Sequence, residues 1–179
     1  MRSTKRMSRV PEQPRGFLFD TVTLSNFALA RRFDLLVTRY GKRLLVTPEV
    51  LDEITEGIIA GYRPLCVIEH AVDQGDVGRT GCLTAKAGRQ AYRELLRILA
   101  SGEASCIAHA VACGGVVVSD DRTARQCCRE RDISVTGTIG ILKACVMDGS
   151  LDVDDADGLL QAMVDSGYYS PVHSISDLM

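Results

Sequence analysis

No run of apolar residues in this chain approaches the roughly 20 that a membrane-spanning helix needs. The basic start is followed by Pro11-Glu12-Gln13-Pro14 rather than by a secretory apolar core. No membrane association and a cytoplasmic location are therefore expected. No Walker loop or dinucleotide-binding glycine pattern is present, so nothing supports a nucleotide cofactor. The seven cysteines are odd in number and lack framework spacing, which excludes a disulfide scaffold and reads as reduced thiols, several of them small buried apolar groups. Net charge is only -2, so bulk electrostatics argues neither for nor against a nucleic-acid partner.

At 179 residues the chain suits one domain with a substantial core. Residues 1–15, rich in Arg, Ser and Pro, read as a flexible leader, residues 16–170 as the folded domain, and residues 171–179 as a loose tail. The ordered part begins with Phe17-Leu18-Phe19-Asp20, a short apolar strand that stops on an acid. Helical spacing follows over 22–30 and 33–38, then a strand over 43–47. Thr47 as N-cap and Pro48 at the first helical position open a helix carrying Glu49, Asp52, Glu53 and Glu56.

Beyond it the pattern weakens to one helix over 65–72 and a surface loop over 73–81. An amphipathic helix is expected over 85–100, broken at Ser101-Gly102, and a small-residue helix over 103–112. Val116-Val117-Val118 reads as a central strand that also ends on acids, Asp120 and Asp121. A helix over 122–131, a strand over 133–135, a helix from 137 through 147 and a last helix over 154–166 complete the order. Strands alternating with helices predict an α/β fold: a central, mostly parallel sheet of four to five strands with helices on both faces.

In such sheets the functional crevice lies outside the carboxyl ends of the strands. That architecture brings Asp20, Glu53, Glu103 and Asp120 or Asp121 toward one place. Each has a bland explanation except Asp20: Glu103 and Asp121 complement helix dipoles, and Glu53 is one of several charges on a helix face. Asp20, bounded by Phe17-Leu18-Phe19 and a helix start, lies close to the core and needs a reason. A ring of acids without histidines suits a hard cation, Mg²⁺ or Mn²⁺. Cys106, His109 and Cys113 share a helical face, but with no fourth ligand evident they read as core rather than zinc ligands. The acidic stretch 152–158 fails the calcium-loop pattern, because Val153 and Val164 fall where ligands are required.

The stretches Asp20-Thr21-Val22-Thr23-Leu24-Ser25-Asn26, Pro48 to Ile54, Gly102-Glu103-Ala104-Ser105-Cys106-Ile107, Val118-Ser119-Asp120-Asp121-Arg122-Thr123-Ala124-Arg125 and Gly137-Thr138-Ile139-Gly140-Ile141-Leu142 together resemble the PIN-domain ribonucleases. That family includes VapC-type toxins and uncharacterised prokaryotic PIN-like proteins, and the resemblance covers roughly residues 17–170. It implies a three-layer PIN-like fold and an Mg²⁺- or Mn²⁺-dependent endoribonuclease. Asp20, Glu53, Glu103 and Asp121 are then the metal-binding acids, with Asp120 the alternative to Asp121. Thr21 and Ser119 are implied to orient water or carboxylates, and Arg122, Arg125 and Lys143 to contact RNA phosphates. A homodimer and a small antitoxin partner also follow from the resemblance. Glu103 stands where the toxin branch usually has aspartate, which keeps open a second function, a PIN-like module that binds RNA or protein without cleaving. A haloacid-dehalogenase-like phosphatase is disfavoured, because its second aspartate would fall at Val22.

Overall fold

A computed structural model describes residues 16–179; the expected leader lies outside the described residues. Five strands form one sheet in the order β3-β2-β1-β4-β5, every neighbour parallel. They are β1 (Phe17–Phe19), β2 (Leu44–Val46), β3 (Gly78–Arg79), β4 (Val116–Val118) and β5 (Val135–Thr136). Parallel pairing needs a crossover between strands, which is why the chain alternates. The helices are α1 (Thr21–Leu29), α2 (Phe33–Tyr40), α3 (Pro48–Ile59), α4 (Cys66–Asp73), α5 (Lys86–Leu95), α6 (Ser101–Cys113), α7 (Arg122–Arg129), α8 (Thr138–Met147) and α9 (Val153–Asp165).

The strands are short because their work is burial rather than length. Leu18, Phe19, Val117 and Val118 are all at most 2% exposed and sit in the middle of the sheet. Register places Phe17, Leu18 and Phe19 beside Val116, Val117 and Val118. Fully buried Phe27, Leu36, Ile54, Ile107 and Leu142 cover the sheet from the surrounding helices. Each core side chain of this size contributes roughly 1.5–3 kcal/mol on burial. α6 is lined along its first ten residues by buried small side chains, Ala104, Ser105, Cys106 and Ala108 among them, which lets it lie close to β1 and β4.

The structure differs from the sequence-based expectation in four places. The loop expected over 73–81 contains β3, an edge strand pairing Gly78 with Leu45 and Arg79 with Val46. Two residues, one a glycine, show no alternation of hydrophobicity to detect. Gly78 is needed there, since a Cβ would lie 2.7 Å from the Leu45 side chain and 2.9 Å from the Lys42 carbonyl. The last strand is shifted to Val135–Thr136, because Ile133 still belongs to the turn after Asp132, whose φ is 55°. The helix expected over 85–100 ends at Leu95 and finishes in turns that place Leu99 against the core. The expected loose tail is packed: Ile175 is fully buried, and Asp157 accepts hydrogen bonds from the Ser176 hydroxyl at 2.8 Å and from the Ile175 amide. The segment is fastened by backbone amides and hydroxyls, groups that carry no hydropathy signal.

A candidate metal centre at the carboxyl edge of the sheet

Successive strands depart in opposite directions from β1, with β2 on one side and β4 on the other. This is the topological switch point where an α/β sheet opens a crevice. Asp20 leaves β1 and Ser119-Asp120-Asp121 leave β4, held side by side by the Asp20 amide donating to the Val118 carbonyl at 3.0 Å.

Asp20 is 1% exposed. Its Oδ1 accepts the Thr23 amide at 2.7 Å and so N-caps α1. Its Oδ2 is buried and receives no hydrogen bond. Burial raises its pKa from 3.8 to about 6, against the opposing pull of the neighbouring Ser119 hydroxyl and of Thr23. Sequence reasoning saw a strand ending on an acid. The structure adds that one oxygen of that acid is committed to a helix cap while the other is left without a donor.

Glu103 sits in the first turn of α6, where one oxygen accepts the Ala100 amide at 3.3 Å. Its pKa is raised from 4.5 to about 7, first by burial, then by the charges of Asp121, Asp20 and Glu53. Those three contributions place Asp121, Asp20 and Glu53 within electrostatic reach of Glu103. Of the two acids after β4, Asp121 acts on Glu103 and Asp120 acts on Asp20. Asp121 N-caps α7, accepting the Ala124 amide at 2.7 Å through Oδ1, and the Ser119 hydroxyl accepts the Asp121 amide at 3.2 Å.

Asp120 is turned to a different task. Its Oδ1 accepts the Thr138 amide at 2.9 Å and its Oδ2 the Thr138 hydroxyl at 2.5 Å, with the Asn26 side-chain amide at 3.5 Å. It ties the end of β4 to the start of α8 and to α1. Glu53 is also heavily engaged. Its Oε1 accepts the Ser101 hydroxyl at 2.8 Å and the Gly102 amide at 2.7 Å, and its Oε2 accepts the Thr21 hydroxyl. Glu53 therefore caps the first turn of α6 from a neighbouring helix. A Cβ at position 102 would lie 2.9 Å from the Glu53 carboxyl carbon, so an added methyl would push the Glu53 carboxylate out of this contact.

Among the described residues, no three His, Cys, Asp or Glu side chains stand close enough to hold an ion as they are. The donor chemistry nevertheless fits a hard divalent cation. Asp20 offers an unsatisfied buried oxygen, Glu103 is pushed toward its protonated form by burial and by surrounding negative charge, and the gathered side chains are carboxylates. Cys106, by contrast, is fully buried and donates to the Phe19 carbonyl, while the His109 Nε2 faces the Thr80 hydroxyl at 3.4 Å.

The basic residues are dispersed. Arg122 is exposed at the start of α7 beside Asp121. Arg125 donates to the Ser119 carbonyl at 2.9 Å and so buttresses the strand end. Lys143 donates to the Leu178 carbonyl at 2.8 Å, which commits its ammonium to the C-terminal turn. Sequence reasoning missed Ser101 as a Glu53 partner and Thr138 with Asn26 as Asp120 partners. Hydroxyl residues at helix starts are too common for either to have been distinguished by pattern alone.

A PIN-domain family model, DUF3368, matches residues 17–179, a span that includes every strand and helix described above. No curated protein matches the chain. Among the described residues, no helix is long and apolar enough to cross a membrane.

Proposed function

We propose that this chain, which belongs to the PIN-domain family, is a metal-dependent ribonuclease that hydrolyses RNA phosphodiester bonds at its acidic crevice. The observation that carries the reading is Asp20: a nearly inaccessible carboxylate with one oxygen lacking any donor, set against Glu103 and Asp121. Three like charges drawn together at a sheet edge destabilise the fold unless a cation or protons offset them.

Asp20, Glu103 and Asp121 would hold Mg²⁺ or Mn²⁺, each keeping an oxygen beyond those used in capping. The ion, when bound, would activate water for attack and offset charge at the scissile phosphate, leaving a 5′-phosphate and a 3′-hydroxyl. Glu53 and Thr21 position the first turn of α6 and with it Glu103. The Ser119 hydroxyl accepts the Asp121 amide, and exposed Arg122 would contact an RNA phosphate. A toxin role with a small antitoxin partner, a homodimeric state and a cytoplasmic location belong to the same proposal.

The test is cleavage of single-stranded RNA in Mn²⁺ or Mg²⁺ by the wild type and by Asp20→Asn. Activity that survives the substitution removes Asp20 from the mechanism. One observation favours a second reading, an RNA-binding module that does not cleave: both Glu53 oxygens are already occupied by protein donors. Calorimetry separates the two, because a metal site lost in Glu103→Ala counts against the non-catalytic reading.

A further inference from the structure

A second concavity adjoins the acids. α5, α6 and the start of α3 enclose a cavity of about 240 Å³ whose lining includes Glu49, Arg89, Tyr92, Arg93 and His109. Glu49 stands one helical turn before Glu53 on α3, so the cavity and the acidic crevice share one face of that helix. Tyr92 bridges the two: its hydroxyl is pushed up first by burial, then by the charges of Glu49 and Glu53. Arg89 and Arg93, a turn apart on the exposed side of α5, both line the cavity, and the Arg89 guanidinium also donates to the Thr84 carbonyl.

The interior has an unmet requirement. The Glu49 Oε2 is buried and receives no hydrogen bond. His109, the nearby candidate to neutralise it, is held toward its uncharged form by burial, and its Nε2 faces Thr80. The cavity is smaller than the roughly 300–1,000 Å³ typical of pockets for drug-sized ligands, which suits a single planar ring. Carboxylate oxygens accept hydrogen bonds, so a ring that satisfies the Glu49 Oε2 presents N–H donors.

We propose that this cavity is a nucleobase subsite selective for guanine, which receives the base of a nucleotide next to the scissile phosphate. Guanine is the one common RNA base with two adjacent N–H donors on its pairing edge, and these match the two oxygens of Glu49. Adenine and cytosine set an acceptor beside their amino group, and uracil flanks its single N–H with two carbonyls. Single-stranded RNA is read through such splayed-out bases, stacked on aromatic rings or guanidinium planes. Tyr92 and Arg93 supply the stacking partners, and Arg89 lies within the same rim for the phosphate. The subsite rests on the ribonuclease reading for its substrate class and adds a sequence preference to it.

The experiment titrates the full-length chain, in EDTA, with guanosine, adenosine, cytidine and uridine 5′-monophosphates, monitored by NMR shifts. Guanosine monophosphate should bind about ten-fold more tightly than the others, the low end of what one bidentate base contact discriminates. Glu49→Gln should erase that preference, and Tyr92→Ala should weaken all four nucleotides together. Equal binding of the four by wild type, or a guanine preference that persists in Glu49→Gln, overturns the subsite. The wild-type ranking needs no variant to fold. Asp20→Asn run in parallel should keep the preference. If wild type then fails to cleave RNA in Mn²⁺ while preferring guanosine, the nuclease reading falls and the subsite stands. Asp20-dependent cleavage without any nucleotide preference overturns the subsite alone.

Discussion

Acids occur in two regions of this molecule, and the two sets live in opposite conditions. Asp148 and Asp157, in the C-terminal part, are surrounded by donors. The Ser150 hydroxyl and then Arg39 hold Asp148 down to about 2. Desolvation pushes Asp157 up, but the Ser176 hydroxyl with the Ile175 and Ser176 amides brings it below its usual value. At the crevice, Asp20 and Glu103 are raised to about 6 and about 7, because burial and neighbouring acids outweigh their few donors. A count of acidic residues would have picked the C-terminal stretch, richer in aspartate. The shortage of donors, not the density of charge, sets the crevice acids apart from the C-terminal acids.

The sharpest way to break this contrast is to neutralise one acid of each kind. Asp20→Asn should cut metal-dependent cleavage by more than the roughly 10–100-fold typical of losing an outer-shell partner. Its Tm should hold or rise, since asparagine still caps α1 and removes a buried charge. A loss of stability with full activity would erase the distinction. Gly102→Ala comes next. The added methyl meets the Glu53 carboxylate and should cost about 1–3 kcal/mol of stability, together with a measurable fall in cleavage as α6 shifts.

The pH dependence is a smaller effect of defined sign. Without metal, folded Asp20 and Glu103 keep their protons up to about pH 6 and 7, whereas the unfolded chain releases them near pH 4. The folded state thus binds more protons in that window. Stability in EDTA should rise as pH falls from about 7 to 4.5, by on the order of 1–3 kcal/mol. Half-exposed Glu103 contributes the smaller share. Thermal melts at several pH values check this, and Mn²⁺ should reverse the slope. Asp157→Ala should have the least effect: a slight fall in Tm as the C-terminal turn loosens, with cleavage unchanged.

Much of the fold was legible because burial writes itself into periodicity. Phe17 to Phe19 and Val116 to Val118 are apolar runs of strand length, and Thr47-Pro48 announces a helix start that the structure reproduces, with the Val50 amide on the Thr47 hydroxyl at 3.2 Å. β3 was not legible, since an edge strand of Gly78 and Arg79 exists through main-chain pairing with β2. Nor was the packed C-terminal turn. Its anchors, Asp157 to Ser176 and Lys143 to Leu178, join positions 19 and 35 residues apart through polar groups, and no local pattern reports such pairs. At the site, the four acids could be named from sequence, but their separate tasks could not. Whether a carboxylate caps a helix, fastens a strand end or keeps an oxygen open depends on which amide happens to face it.

The sequence by itself determined the order of the helices and of four of the five strands and named acids that follow β1 and β4, because hydrophobic period, capping residues and strand-terminal charges are local properties. Only the tertiary structure gave Asp120 its Thr138 donors and Asp121 its cap on α7, left Asp20 with an oxygen lacking a hydrogen bond, and set Glu49 and Tyr92 around a cavity beside the acids. These outcomes depend on distances between residues far apart in the chain. Desolvation and mutual repulsion act through those distances, and they come into being only when the sheet closes and the helices pack against it.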